Sequence, residues 1–118
     1  MSAYDIKIEQ GSTYLQTVNI VDMLPNGTEV VRDLTDYTVR CQFRPNYTSA
    51  TVLYDMSVTG AISISSPQEG IIEINIPSSD TQEFKFTTAK YDIEIDLNGV
   101  VTRIIEGNVK VYPNVTRW

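Results

Sequence analysis

Histidine is absent from the 118-residue sequence, and cysteine occurs once, at Cys41. The first absence removes the side chain that most often serves as a general base near neutral pH. The second excludes an internal disulfide and with it the stapled secreted scaffolds, leaving a reduced compartment as the simplest setting. Basic residues are scarce too: 9 Lys and Arg against 15 Asp and Glu give a formal charge of −6. Such a surface repels phosphate backbones and anionic lipid, so neither nucleic acid nor membrane is an expected partner. No stretch nears the ~18 apolar residues of a membrane span. The start, "MSAYDIKIEQ", has no basic segment followed by an apolar run. A signal peptide is therefore not expected, and the chain reads as made in the cytoplasm. Without secretion, the Asn-x-Ser/Thr sequons at Asn26, Asn46 and Asn114 carry no meaning.

The chemistry-bearing motifs are missing as well. There is no glycine-rich phosphate loop, nucleotide fingerprint or Cys/His cluster. Cys41 falls on the apolar face of its segment, where a thiol is a core residue and not a nucleophile. No enzyme activity and no cofactor is expected. Asp92, Glu94 and Asp96 form a carboxylate stripe, but alternate residues of a strand stand roughly 6.8 Å apart, too far to share one ion without help from another loop. The stripe reads as a wet face, neutralised in part by Arg103 and Lys110. In "DLTD" (33–36), Asp33 and Asp36 read as an Asx-type turn into the next strand.

What is present is alternation. The chain length fits one domain, 1–118, and 42% hydrophobic with 20% charged residues is a globular balance. "YTVRCQF" sets Tyr37, Val39, Cys41 and Phe43 on one face, and "YDIEIDL" does the same with Tyr91, Ile93, Ile95 and Leu97. Further strands are expected at 5–9, 13–23, 28–31, 51–57, 62–65 and 71–76, divided by "QGS", "LPNG", "RPN", "TG" and "PQEG". About nine short strands so spaced indicate a sandwich or barrel with antiparallel sheets. The one helical candidate is "PSSDTQEF" (77–84), a single turn near 78–83 capped by Ser78 or Ser79.

Asn98-Gly99 is the strongest two-residue hairpin signal, because a type I′ turn needs positive φ at both positions. It sets a register in which Leu97 faces Val100, Ile95 faces Thr102, Ile93 faces Ile104 and Glu94 faces Arg103. Beyond Ile104 the apolar parity moves to Val109 and Val111, which predicts a β-bulge at Gly107 and a long, bent last strand.

The segments "DLTDYTVRCQFR" (33–44), "GAISIS" (60–65), "GIIEINIPSSDT" (70–81) and "YDIEIDLNGVVTRIIEGNVKVYPNVTR" (91–117) together resemble a family of small phage virion proteins. In that family a Leu-Thr-x-Tyr strand entry precedes a Gly-x-Ile element, a short helical turn and a Tyr-Asp-Ile hairpin. A closing run follows, matched here by Arg103, Gly107, Val109, Val111, Pro113, Val115, Thr116 and Arg117. The pattern is similar to the immunoglobulin-like N-terminal domains of phage baseplate upper proteins, and runs from Leu34 to Arg117. The chain departs from it at "SSDTQEF", where the family is Ala-rich, and over 45–59.

The resemblance implies an all-β, immunoglobulin-like sandwich of about seven to nine strands. It also implies a non-enzymatic virion building block of a tailed bacteriophage, in tail, baseplate or connector. Its partners would be other virion proteins, its state a symmetric homo-oligomer, and its location the virion. The alternatives are a capsid decoration or head-fibre protein and a carbohydrate- or host-surface-binding module. Candidate contact residues are Tyr4, Tyr112, Arg117 and Trp118. The terminal Trp118 either meets a neighbour or folds back on its own sandwich, and "MSAYDIKI" adds a strand either to its own sheet or to a neighbour's.

Overall fold

A computed structural model of the protein describes residues 2–115. Eleven strands run in chain order: β1 (Ser2–Ala3), β2 (Ile6–Glu9), β3 (Tyr14–Asn19), β4 (Val21–Met23), β5 (Glu29–Val31), β6 (Thr38–Arg44), β7 (Tyr54–Asp55), β8 (Ile62–Ser66), β9 (Ile71–Ile76), β10 (Thr88–Leu97) and β11 (Val100–Tyr112). Two one-turn helices, α1 (Met56–Thr59) and α2 (Ser78–Thr81), and a 3-10 turn at Pro67–Glu69 complete the fold.

One sheet is ordered β1-β11-β10-β6-β7, with β2 also on β11, and the other is β3-β9-β8. This is the partition of an immunoglobulin sandwich, with β3, β9 and β8 as its B, E and D strands and β6, β10 and β11 as C, F and G. The alternation read from sequence sets the core. Ala89, Tyr91, Ile93 and Ile95 of β10 are buried, as are Cys41 and Phe43 of β6, against Ile72, Ile74 and Ile76 of β9.

The Asn98-Gly99 turn forms as expected, with φ of 51° and 87°. Its register holds from Leu97↔Val100 to Glu94↔Arg103, and then shifts so that Ile93 faces Ile105. The bulge therefore lies at Ile104 and not at Gly107. Ile104 and Ile105 are both half-buried, so the extra residue lets two adjacent isoleucines pack without breaking the ladder. Gly107 has another task. A Cβ there would sit 2.0 Å from the carbonyl oxygen of Tyr4, so the glycine is what lets the N-terminal segment reach the sheet.

That segment corrects the all-antiparallel expectation, because β1 and β2 both run parallel to β11. It also settles the strand's destination as its own sheet. The hydroxyl of Tyr91 donates to the Tyr4 carbonyl at 2.6 Å and the Tyr4 amide donates to the Glu106 carbonyl at 2.9 Å, tying the crossing between β1 and β2.

Three other expectations are corrected. The 51–57 segment is mostly not strand: Asp55 caps α1 by accepting from the amides of Ser57 and Val58, and Gly60 closes the helix at φ 79°. An Asp followed by Gly five residues on is a cap pair, and its local hydrogen bonds outweigh the β-propensity of Val52 and Tyr54. Pro77, not a serine, stands at the cap position of α2, without a side-chain bond. The helix is held instead by Thr81, fully buried, whose hydroxyl donates to the Ser12 carbonyl at 2.8 Å and accepts from the Gly11 amide at 3.1 Å. The 13–23 strand breaks at buried Ile20 into β3 and β4.

Two substitutions test this account by chemical denaturation. Gly107→Ala should cost about 2 kcal/mol or more, and should open residues 3–10 to limited proteolysis. Ile93→Ala should cost ~2–5 kcal/mol through the cavity it leaves. A Gly107→Ala protein with wild-type stability and an uncut N-terminal segment would contradict the close approach.

Candidate functional site

The carboxylate stripe is the first candidate. Arg103 Nε lies 3.1 Å from Asp92 Oδ2, and Arg40 Nε lies 2.9 Å from Glu94 Oε1 with a longer 4.0 Å contact to Asp96. Glu94 does oppose Arg103 in register, but Arg103 reaches diagonally to Asp92 while Arg40 on β6 takes Glu94. Lys110, expected to help neutralise the stripe, lies over the Tyr112 ring at 5.3 Å. Burial, and then the neighbouring Glu94 carboxylate, raises the Asp92 pKa. Arg40 was missed because only the β6/β10 register, a long-range pairing, brings it to the stripe.

Beside the stripe lies a shallow trough of about 430 Å³ on the outer face of β6 and β10. Several of its polar groups are bonded to one another. Gln42 accepts from Arg44 at 2.7 Å and donates to Asp55 at 2.7 Å, and Arg44 also donates to the Ser49 carbonyl at 2.8 Å. Lys90 Nζ stands 5.8 Å from the Tyr47 centroid, over the one ring a sugar would stack on. Among the described residues, no group of three or more His, Cys, Asp or Glu is placed to hold a metal. Asp33 forms the expected turn, accepting from the Thr35 amide at 2.9 Å. Cys41 is buried, and desolvation drives its thiol pKa well above the ordinary range.

Of the four candidate contact residues, the two that the structure describes, Tyr4 and Tyr112, lie apart. Exposed Tyr4 borders a cleft of about 250 Å³ between the sheets, its hydroxyl 3.4 Å from Gln16 Oε1. Tyr112, also exposed, lies six residues along β11 from Glu106, where Tyr4 is bound, or about 20 Å away. Arg117 and Trp118 lie outside the described residues.

The sequence reading placed strands at 13–23 and 28–31 but did not mark the exposed apolar surface they form. β4 and β5 form a two-stranded ribbon of their own, pairing Val21 with Val31, Asp22 with Val30 and Met23 with Glu29. Residues directly opposite share a face, so Val21, Val31, Met23 and Glu29 stand together. The three apolar side chains are 43%, 50% and 64% exposed. Leu24 and Val30 are exposed on the other face, beside the ion pair in which Arg32 Nε meets Asp22 Oδ1 at 3.1 Å. The arm is rooted rigidly. The Ile20 amide donates to the Gly70 carbonyl at 2.8 Å and the Arg32 amide to the Ile20 carbonyl at 3.0 Å. Gly70 has φ 67°, and a Cβ there would lie 2.7 Å from both the Arg32 and Ile20 carbonyls. The signal was the turn pair Asn26-Gly27 followed by "EVV", a run without alternation.

Strand directions place this arm at the end where β3 finishes and β9 begins, together with the Gly99 turn and exposed Val100. The opposite end carries an open hollow of about 400 Å³, lined by Leu53, Phe84, Phe86, Glu83 and Lys85. Its floor is the edge of an aromatic cluster, with centroids 5.0 Å apart for Phe84–Phe86 and 5.1 Å for Tyr54–Phe84.

No protein-family model matches the chain, and no curated protein matches it. Among solved structures, one similar chain is a family 123 glycoside hydrolase from Clostridium perfringens, described for glycolipid glycan hydrolysis, at 13% identity and a TM-score of 0.37. The alignment covers 98% of this chain and 23% of that one, so the chain spans under a quarter of the enzyme's length. A likeness of that size carries no argument about fold or activity.

The half-buried phenols of Tyr14 and Tyr54 give the molecule an alkaline limit. Burial first, then the Tyr4 charge for Tyr14 and the bond to Asp80 for Tyr54, pushes each of these pKa values up to about 12. Their folded values lie above the unfolded ~10, so the unfolded chain releases protons first and stability falls as pH rises from about 10 to about 12. Buried Cys41 starts the decline nearer pH ~9. Urea midpoints measured across this range should fall steadily, with a shallower fall for Tyr54→Phe. Midpoints independent of pH would contradict the burial of these groups.

Proposed function

We propose that the protein is a non-enzymatic virion building block of a tailed bacteriophage, a tail, baseplate or connector component that acts through protein–protein contacts. The observation that supports this reading is the β4–β5 arm. An isolated two-stranded ribbon is marginal in water, and here it is anchored at Gly70 while Val21, Met23 and Val31 stay exposed on one face. A surface of that kind marks a contact with another macromolecule. The closing run from Arg103 to Val111, with Gly107 and Val109 in place, agrees with the resemblance to small virion proteins.

The chemistry of the remaining surface supports the same conclusion. The one cysteine is buried and has a raised pKa, the carboxylate stripe is paired with arginines, and in the trough beside it Gln42 is bonded to Arg44 and Asp55. The partners are other virion proteins, and the location is the particle.

Purified particles settle the matter. Mass spectrometry should find the protein in intact virions at a fixed multiple of the tail symmetry, and it should be missing from tailless heads. Retention on tailless heads would move it to the capsid surface, and absence from purified particles would overturn the proposal.

A further inference from the structure

Resting on that reading, we infer that the free edge of β3 is a strand-docking site, filled in the particle by an extended, uncharged segment of a neighbouring virion protein. Among the described residues β3 pairs with β9 alone, in an unbroken register from Tyr14↔Ile76 to Asn19↔Ile71. The Ile20 amide continues that ladder to the Gly70 carbonyl at 2.8 Å, and on the other side of β9 the Asn75 amide donates to the Ala61 carbonyl at 2.7 Å. Antiparallel bonds alternate along a strand, so Tyr14, Gln16 and Val18 bond to β9, and the backbone N–H and C=O groups of Leu15, Thr17 and Asn19 point to the open edge. Among the described residues the one partner these groups have is the Gln16 side chain, whose Nε2 donates to the Thr17 carbonyl at 3.3 Å.

Other open edges are guarded. β8 has a register shift between Ile64 and Ser66, β7 is two residues long and carries Asp55, and β2 carries Lys7 and Glu9. β3 reads YLQTVN, without charge, proline or bulge, and offers ~20 Å of edge. Such an edge is a template for one more strand. Strand addition takes its affinity from main-chain bonds and its specificity from pockets for alternate side chains. The cleft of about 250 Å³ supplies the pocket, because it opens between β3 and the larger sheet with Ala3, Tyr4, Val18, Ile93 and Ile105 along it. The occupant is therefore an extended chain whose alternate, cleft-facing side chains are apolar. A charge on that side would be buried without a partner. The carboxylate beside the edge, Glu73, lies one strand further in, opposite Thr17 and exposed to solvent. A folded second copy does not fit there. Pairing β3 with β3 about a two-fold puts both larger sheets on the same side, where Ala3 of β1 and Ile6 of β2 already border the cleft.

Amide hydrogen exchange, read by mass spectrometry on the free chain and on purified particles, tests the site. The Leu15, Thr17 and Asn19 amides should exchange rapidly in the free chain and roughly tenfold or more slowly in particles, with Gln16 and Val18 protected in both. Thr17→Pro removes an amide that points to the edge, at a position where an edge strand tolerates proline. It should keep the near-ultraviolet dichroism of the tyrosines and lower incorporation into particles roughly tenfold or more. Thr17→Val, which keeps the amide, should incorporate as the wild type does. Edge amides that exchange equally in particles and in the free chain overturn the inference, as does a folded Thr17→Pro chain incorporated at the wild-type level. A free chain that sediments as a dimer, with those amides protected, gives the edge to a second copy and overturns it too. A chain found in virions with its β3 edge unprotected keeps the building-block reading and loses this site. A chain absent from virions loses both.

Discussion

The structure depends on one strand being paired along both edges. β10 bonds to β11 on one side and to β6 on the other, which satisfies its backbone groups while Ala89, Tyr91, Ile93 and Ile95 turn inward. Two-sided pairing fixes the neighbours' faces, because a slip of one residue would send every inward side chain to water. Cys41 therefore comes opposite Ile93 and Phe43 opposite Tyr91, and the Phe43 ring meets Tyr91 at 6.2 Å and Phe84 at 6.4 Å. The aromatic cluster that closes one end of the sandwich follows from that register.

The same register orders the charges. The wet face of β10 is a row of carboxylates, and β6 and β11 each bring one arginine to it, Arg40 and Arg103. Exposed pairs of this sort contribute little singly, ~0.2–1 kcal/mol. Their larger effect is to keep like charges on adjacent rungs from opposing the ladder that the buried face requires. A stripe that resembles a cation site in sequence is thus the wet side of a central strand.

Local signals were legible in the sequence and long-range ones were not. Asn98-Gly99 sets its hairpin through φ alone, and the alternation in "YDIEIDL" marks its buried face whichever strands flank it. The bulge was misplaced because Ile104 and Ile105 are both apolar, so the parity break looked as though it fell at the nearest glycine. Gly107 is small for a reason found 103 residues away, at Tyr4, which no window on the last strand contains. Parallel pairing of β1 and β2 with β11 is of the same kind. The α1 helix was legible in principle, since Asp55 and Gly60 bracket it, but the apolar residues around them favoured a strand. The arm's strands and turn were legible, but its exposed face was not, because hydrophobic residues in a β pattern are taken as inward-facing, and Val21, Met23 and Val31 are not.

The open edge of the larger sheet is treated differently from the exposed face of the arm. Over Val100–Ile104 the outer edge of β11 has no partner among the described residues. Edge strands of this kind invite pairing unless they are guarded, commonly by a charge or a bulge that twists the edge away. β11 has both, Arg103 held by Asp92 and the bulge at Ile104. The arm's apolar face carries a single carboxylate, Glu29, while Asp22 and Arg32, which pair with each other, occupy the opposite side together with Val30. At β11 a strand edge is guarded, while on the arm a side-chain face is left open. The arm also occupies the B–C connection, at the end of the sandwich where variable immunoglobulin domains carry their recognition loops. There an insertion can lengthen without disturbing β10, β6 or β9, so the register of the core stays fixed.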